Sequence, residues 1–218
     1  MPKLTNTLPL LSLLMVSCFN LGWNLKTANG QKTWCIVNPS TTHSELLVNL
    51  DYACSHVRCS QIQQGSSCFY PNTYHHHASF AMNLYYQFMG RHEEDCNFTN
   101  SALISLSDPS SGSCIYESGG NLEAYGKPYN KTYETWCVAK PATEDDMLQE
   151  NINFSCNHVD CSPIQDGGSC FSPTTLMNHA AFAMNLYYQS TGRGSNSCEF
   201  RGTGLLVTTN PGYGNCTF

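Results

Sequence analysis

The chain has little positive charge. Lys and Arg number 10 in 218 residues, against 16 Asp and Glu, for a formal net charge of −6. No basic cluster interrupts that balance, so no nucleic-acid partner is expected. Long apolar runs are missing beyond the N-terminus, and only Thr217 and Phe218 follow Cys216. The sequence therefore gives neither a transmembrane span nor the spacer and tail of a lipid anchor. Adjacent cysteines are missing too, which removes the small lipid-transfer class.

Cysteine itself is abundant, at 13 residues. Cys35, Cys54, Cys59, Cys68, Cys96 and Cys114 each recur 102 positions later, at Cys137, Cys156, Cys161, Cys170, Cys198 and Cys216. The segment "HASFAMNLYYQ" at 77–87 returns as "HAAFAMNLYYQ" at 179–189. A period this long, without slippage, reads as two whole domains. Each spans roughly 80–85 residues, a size at which a core alone gives modest stability. Three disulfides per domain would add about 2–4 kcal/mol each.

The odd cysteine, Cys18, lies in an N-terminal segment with Lys3 ahead of an apolar run. Residues 1–28 read as a secretory signal peptide whose removal leaves six cysteines per domain. A secreted, extracellular protein is expected. The domains run over 32–116 and 135–218. Residues 117–134, rich in Gly, Asn and charge, read as a flexible linker. On that view two separate modules hold one polymer, gaining avidity through the linker. Asn97, Asn130, Asn153 and Asn215 begin glycosylation sequons.

The coarse pattern gives a helix after each opening Trp-Cys. Leu46, Leu50 and Ala53, then Leu148, Ile152 and Ser155, recur at helical spacing. Thr42 with Glu45, and Thr143 with Asp146, fit capping boxes. A second helix carries the repeated segment, entered through Pro71-Asn72-Thr73 or Pro173-Thr174-Thr175 and stopped at Gly90 or Gly192. Residues 103–106 and 205–209 read as short strands before Asp-Pro and Asn-Pro turns.

The period also tests for catalysis. A glycosidase normally needs two carboxylates. Glu45 stands opposite Met147, Asp51 opposite Asn153, Asp108 opposite Asn210, Asp160 opposite Arg58, and Glu199 opposite Asn97. No Asp or Glu is shared, which lowers an enzymatic reading. His75, His76 and His77 point in different directions from a helix and do not converge on one ion. Only His77 and His56 recur, as His179 and His158, so structural histidines are expected rather than a metal site or any cofactor.

On the repeated helix, Ala78, Phe80, Ala81, Leu84, Tyr85 and Phe88 fall on one arc, read as core. Asn83, Tyr86 and Gln87 fall opposite, and return as Asn185, Tyr188 and Gln189. A solvated face has no need to repeat itself. Functionally, tyrosine offers a plate for a sugar and the amides offer hydrogen bonds. Structurally, the helix is covered on both sides and the amides pin loops. Trp34 and Trp136, beside cysteines, pose the same choice between sugar platform and core.

"WCVAKP", the cysteine spacing, "QDGGSC", "HAAFAMNLYYQ" and "LLVTTNPGYGNC" together resemble the plant X-eight carbohydrate-binding domain. That domain is found in plasmodesmal callose-binding proteins and at the C-terminus of many plant endo-1,3-beta-glucanases. The resemblance covers both domains. In the first, Ser105 and Ser107 stand where threonine is usual, and Ser111 replaces the Tyr213 of the second. The resemblance implies an α+β fold of two helices and a short antiparallel sheet per domain. It implies non-catalytic binding of beta-1,3-glucan (callose) in the cell wall, plasmodesmata included. It also implies the pairs Cys35–Cys96, Cys54–Cys59 and Cys68–Cys114, then Cys137–Cys198, Cys156–Cys161 and Cys170–Cys216; spacing alone leaves the pairing open. The competing readings are a glucan endo-1,3-beta-glucosidase-related hydrolase and a secreted disulfide-rich defence or inhibitor protein.

Overall fold

A computed structural model describes residues 31–119 and 134–218. The expected signal segment with Cys18, most of the linker, and Asn130 lie outside them. Each repeat contributes two strands and two long helices. The first has β1 (Trp34–Val37), α1 (His43–His56), α2 (Tyr74–Met89) and β2 (Ala102–Ser105). The second has β3 (Trp136–Ala139), α3 (Asp145–Cys156), α4 (Leu176–Ser190) and β4 (Gly204–Val207). This is the α+β, disulfide-stapled architecture that the resemblance implies.

Local chemistry sets the helix ends. Thr42 and Glu45 form the expected capping box on α1. The second copy departs from expectation: α3 starts one residue later, with Glu144 at its N-cap and no side-chain cap. Thr143 is buried there instead. Thr73 and Thr175 cap α2 and α4 through the amides of His76 and Asn178. Gly90 ends α2 at φ 100°, a conformation that suits glycine.

Six disulfides staple the repeats: Cys35–Cys96, Cys54–Cys59, Cys68–Cys114, Cys137–Cys198, Cys156–Cys161 and Cys170–Cys216. Every bridge is internal to one repeat. Cys35–Cys96 and Cys137–Cys198 tie the first strand of each repeat to the turn before its last strand. They sit within matching cores: Val37, Leu46, Ala53, Ala81 and Met82 in one repeat, Ala139, Leu148, Ala180 and Met184 in the other.

The repeats are not separate beads. Their strands form one antiparallel sheet in the order β1-β2-β4-β3. Ser105 pairs with Val207, its own counterpart 102 residues on. Around that pair the contacts are reciprocal. The Leu106 amide donates to Leu206 O (2.8 Å), and the Thr208 amide to Ile104 O (2.9 Å). The Ile104 amide donates to Thr209 Oγ1 (3.1 Å), and the Leu206 amide to Ser107 Oγ (3.2 Å). Asn38 Nδ2 reaches Pro211 O, and Lys140 Nζ reaches Ser110 O. Beneath the junction, Ile36 and Leu103 of one repeat pack in one buried cluster with Val138, Leu205 and Val207 of the other. A local two-fold axis therefore passes between Ser105 and Val207. This junction replaces the expectation of modules coupled only through residues 117–134.

Candidate functional site

The repeated polar triplet lies inside the fold. Tyr86 and Tyr188 are each 2% exposed, and Asn83, Asn185 and Gln87 are buried. Asn83 Oδ1 accepts the Cys35 amide, and Asn185 Oδ1 the Cys137 amide, both at 3.1 Å. Gln87 and Gln189 donate to Thr33 O and Thr135 O. The Tyr86 and Tyr188 hydroxyls meet Thr33 Oγ1 and Thr135 Oγ1 at 3.0 and 2.7 Å. These side chains occupy the outer edges of β1 and β3, where a further strand would otherwise pair. That explains the repetition: each edge needs the same acceptor at the same register. Of the two readings of Asn83, Tyr86, Gln87, Asn185, Tyr188 and Gln189, these bonds favour the structural one over sugar contact, because a buried ring offers no face to a polymer.

Trp34 is likewise buried, against Phe80, Tyr116 and the Cys68–Cys114 bridge. Trp136 is half-buried beside the shared cluster under the sheet. Phe88, expected in the core, is exposed. The helix is covered on both sides over most of its length, so a single apolar arc misdescribes it.

Aromatics that the sequence did not mark as site residues gather around one exposed ring in each repeat. Tyr52 of α1, Tyr85 of α2 and Phe98 form an edge-to-face trio with centroids 5.4, 6.0 and 5.6 Å apart. Their counterparts Phe154, Tyr187 and Phe200 repeat it at 5.1, 5.9 and 5.8 Å. His56 lies 4.7 Å from Tyr52, and His158 4.7 Å from Phe154. Tyr52 is 48% exposed and Phe154 45%. Burying apolar rings would favour packing them away, yet both repeats leave the equivalent ring in solvent. The signal was present in the sequence as aromatics recurring at 52/154, 85/187 and 98/200.

Both copies hold this trio with the same relay. Asn49 Nδ2 donates to Ser101 Oγ, which donates to Phe98 O. Asn151 Nδ2 donates to Thr203 Oγ1, which donates to Phe200 O. Phe98 and Phe200 sit at φ 43° and 41°, a conformation rare for bulky residues. Such backbone costs on the order of 1–3 kcal/mol and persists only where its surroundings enforce it. Here the enforcing groups are the relay and the neighbouring Cys96 or Cys198 bridge.

In the second repeat the trio lines a cleft of about 520 Å³, with Glu150, Asn153, Asn196, Glu199 and Arg201 around it. Arg201 pairs with Glu150 across the rim. The first repeat is more closed. There Tyr52 and Tyr85 join hydroxyls at 3.2 Å, and Tyr85 is only 8% exposed. That hydrogen bond, with burial, pushes the Tyr85 phenol up to about 12. Phe154 has no hydroxyl to make the same bond, and Tyr187 is half-buried. Two sequons adjoin these sites: Asn153 lines the cleft and Asn97 precedes Phe98.

The recurring histidines have structural partners. His77 Nε2 lies 2.8 Å from Phe69 O, and His179 Nε2 2.8 Å from Phe171 O. His56 and His158 Nδ1 each lie 2.8 Å from the carbonyl of residue 52 or 154. Among the described residues no group of three His, Cys, Asp or Glu could hold a metal ion. No helix among them is long and apolar enough to cross a membrane.

Comparison with known proteins places this geometry. The X8 domain model matches residues 33–103 and again 135–205. The chain belongs to the X8 domain family. A glucan endo-1,3-beta-D-glucosidase of Olea europaea is 53% identical over 92 residues, covering 42% of this chain and 20% of that protein. The major pollen allergen Ole e 10 of the same species is 44% identical over 94 residues, covering 42% of this chain and 76% of the allergen. Plasmodesmata callose-binding protein 2 of Arabidopsis thaliana is 41% identical over 88 residues, covering 40% of this chain and 45% of that protein. The matched part of the chain spans about a fifth of the Olea glucosidase's length.

Proposed function

We propose that this tandem X8 protein is a non-catalytic, extracellular binder of beta-1,3-glucan, and that the aromatic trios are its contact surfaces. The observation that carries the proposal is the repeated exposure of Tyr52 and Phe154 above matching rings. A flat ring suits the C–H face of a pyranose, and the amides and carboxylates around the cleft suit its hydroxyls. The relatives named for callose binding and for glucan 1,3-linkages support this choice of polymer. Twelve bridged cysteines support an oxidising, extracellular setting.

A hydrolytic role has weaker support. The cleft's Glu150 is paired with Arg201, and Glu150 and Glu199 have Val48 and Asn97 as counterparts in the other repeat. The test is a pull-down on insoluble beta-1,3-glucan, cellulose and chitin, run beside a reducing-end assay on a soluble beta-1,3-glucan. Retention on beta-1,3-glucan without release of reducing ends supports the proposal. Equal retention on all three polymers, or steady release abolished by Glu150→Gln or Glu199→Gln, overturns it.

A further inference from the structure

We propose that the protein cross-links glucan, holding two chain segments of opposite polarity at once. This rests on the aromatic trios being the glucan contacts. It goes further because it concerns how two sites are mounted on one body.

The mounting is rigid. The repeats share a sheet, with Ser105 paired to its counterpart Val207. Two reciprocal backbone hydrogen bonds and two reciprocal hydroxyl contacts, from Ser107 and Thr209, flank that pair. Asn38 and Lys140, themselves counterparts, each clasp the turn after the other repeat's last strand. Apolar side chains from both repeats fill one cluster beneath. The contacts named here are all made by residues outside 117–134.

Equivalent strands that pair antiparallel, each residue meeting its counterpart, are related by a two-fold axis. A two-fold axis reverses every direction that lies across it, and the axis between two antiparallel strands stands perpendicular to their sheet. A glucan chain is polar, since its reducing and non-reducing ends differ. A site that reads a chain lying along the sheet plane in one sense is therefore presented by the second repeat in the opposite sense. One straight chain cannot satisfy both. Two antiparallel segments can, whether from two chains or from one that folds back. Tandem sites on a flexible linker would instead reorient and engage one chain twice.

The sites are unequal, because Tyr85 is nearly closed over by Tyr52 while Tyr187 opens on the cleft. Cross-linking needs both to bind, and needs no equality between them.

The experiment uses the whole chain, freed of N-glycans because Asn97 and Asn153 adjoin the sites. A short beta-1,3-gluco-oligosaccharide is titrated calorimetrically to give stoichiometry. A long soluble beta-1,3-glucan is then mixed with protein at a series of ratios, and light scattering is recorded. The expected results are two oligosaccharides per chain, and a scattering maximum near the ratio at which sites match segments. Phe154→Ala and Tyr52→Ala each remove one exposed ring; Phe154→Leu and Tyr52→Leu serve where alanine disturbs folding by circular dichroism. Each single variant is expected to bind one oligosaccharide and to abolish the maximum. One oligosaccharide per wild-type chain overturns cross-linking and leaves glucan binding standing. Two per chain, with no maximum and with scattering equal to the variants', also overturns it. Failure to bind any oligosaccharide overturns the glucan assignment itself.

Discussion

Replacing Asn83 or Asn185 by alanine separates a structural amide from a sugar contact, and the magnitude follows from the bonds each makes. Asn185 Oδ1 accepts the Cys137 amide and Gln189 Nε2. Cys137 is fully buried, so alanine leaves its N–H without an acceptor or water. A buried, unsatisfied donor costs about 1–3 kcal/mol. Gln189 keeps its bond to Thr135 O and adds little to the loss. Asn83 makes the same bonds to Cys35 and Gln87, and its Nδ2 also donates to Glu117 O (2.9 Å). Asn185 Nδ2 has no such partner among the described residues. Asn83→Ala should therefore cost roughly 1 kcal/mol more than Asn185→Ala, the usual net worth of one hydrogen bond. Guanidinium denaturation of the oxidised protein reads both losses. In a chain of this size each kcal/mol also lowers Tm by about 2–4 °C. Glucan affinity of the folded variants should not change. Stability within about 0.5 kcal/mol of wild type, combined with lost glucan binding, would refute the reasoning and return these amides to the surface.

The neighbours Tyr187 and Tyr188 should behave oppositely. Tyr187→Ala should weaken glucan binding roughly tenfold or more while the protein stays folded; Tyr188→Phe should cost about 0.5–1.5 kcal/mol of stability, by losing its bond to Thr135, and leave binding unchanged. Burial, reinforced by His77, holds the His76 imidazole down at about 4. Its folded value lies below its unfolded one, so the unfolded chain takes up the proton first and stability should fall as pH drops from about 6.5 to about 4. His75, also held down at about 4 by burial, adds to the same decline, so His76→Asn, which copies Asn178, should make it shallower without removing it, and an unchanged pH profile in urea melts would count against it. Bridges that close different lengths of chain should differ as well. Removing Cys35–Cys96, separated by 61 residues, should cost about 4 kcal/mol, and removing Cys54–Cys59, separated by 5, about 2. Equal losses on denaturation of the paired-alanine variants would contradict the loop-entropy basis.

Much of the fold was legible because its determinants are local or covalent. The cysteine period marked two repeats, and Thr42, Thr73, Thr175 and Gly90 marked helix ends through bonds made within a few residues. Three features were not legible. β1 and β3 are four residues each beside a cysteine, too short for an alternating pattern to show. The β2–β4 junction combines two backbone hydrogen bonds, which every sequence supplies, with hydroxyls and apolar side chains common to any short strand, so nothing in residues 102–107 announces a partner. The surface proposed here was missed because periodicity ranks helix faces by apolarity. Phe88 looked like core and Asn83 like surface, whereas Phe88 is exposed and the strand edge of β1 needs an amide inside. Comparing aromatics across the 102-residue offset would have found Tyr52/Phe154 and Phe98/Phe200.

The central claim is that glucan meets the aromatic trios and not the repeated polar triplet. Side-chain NMR of the folded protein during titration with a beta-1,3-gluco-oligosaccharide tests it directly. Saturable shifts are predicted in the rings of Phe154, Tyr187 and Phe200, with a weaker set from Tyr52, Tyr85 and Phe98, and none in the side-chain amides of Asn83 and Asn185. Shifts confined to Tyr86, Tyr188 and those amides, with the trios unmoved, would contradict it.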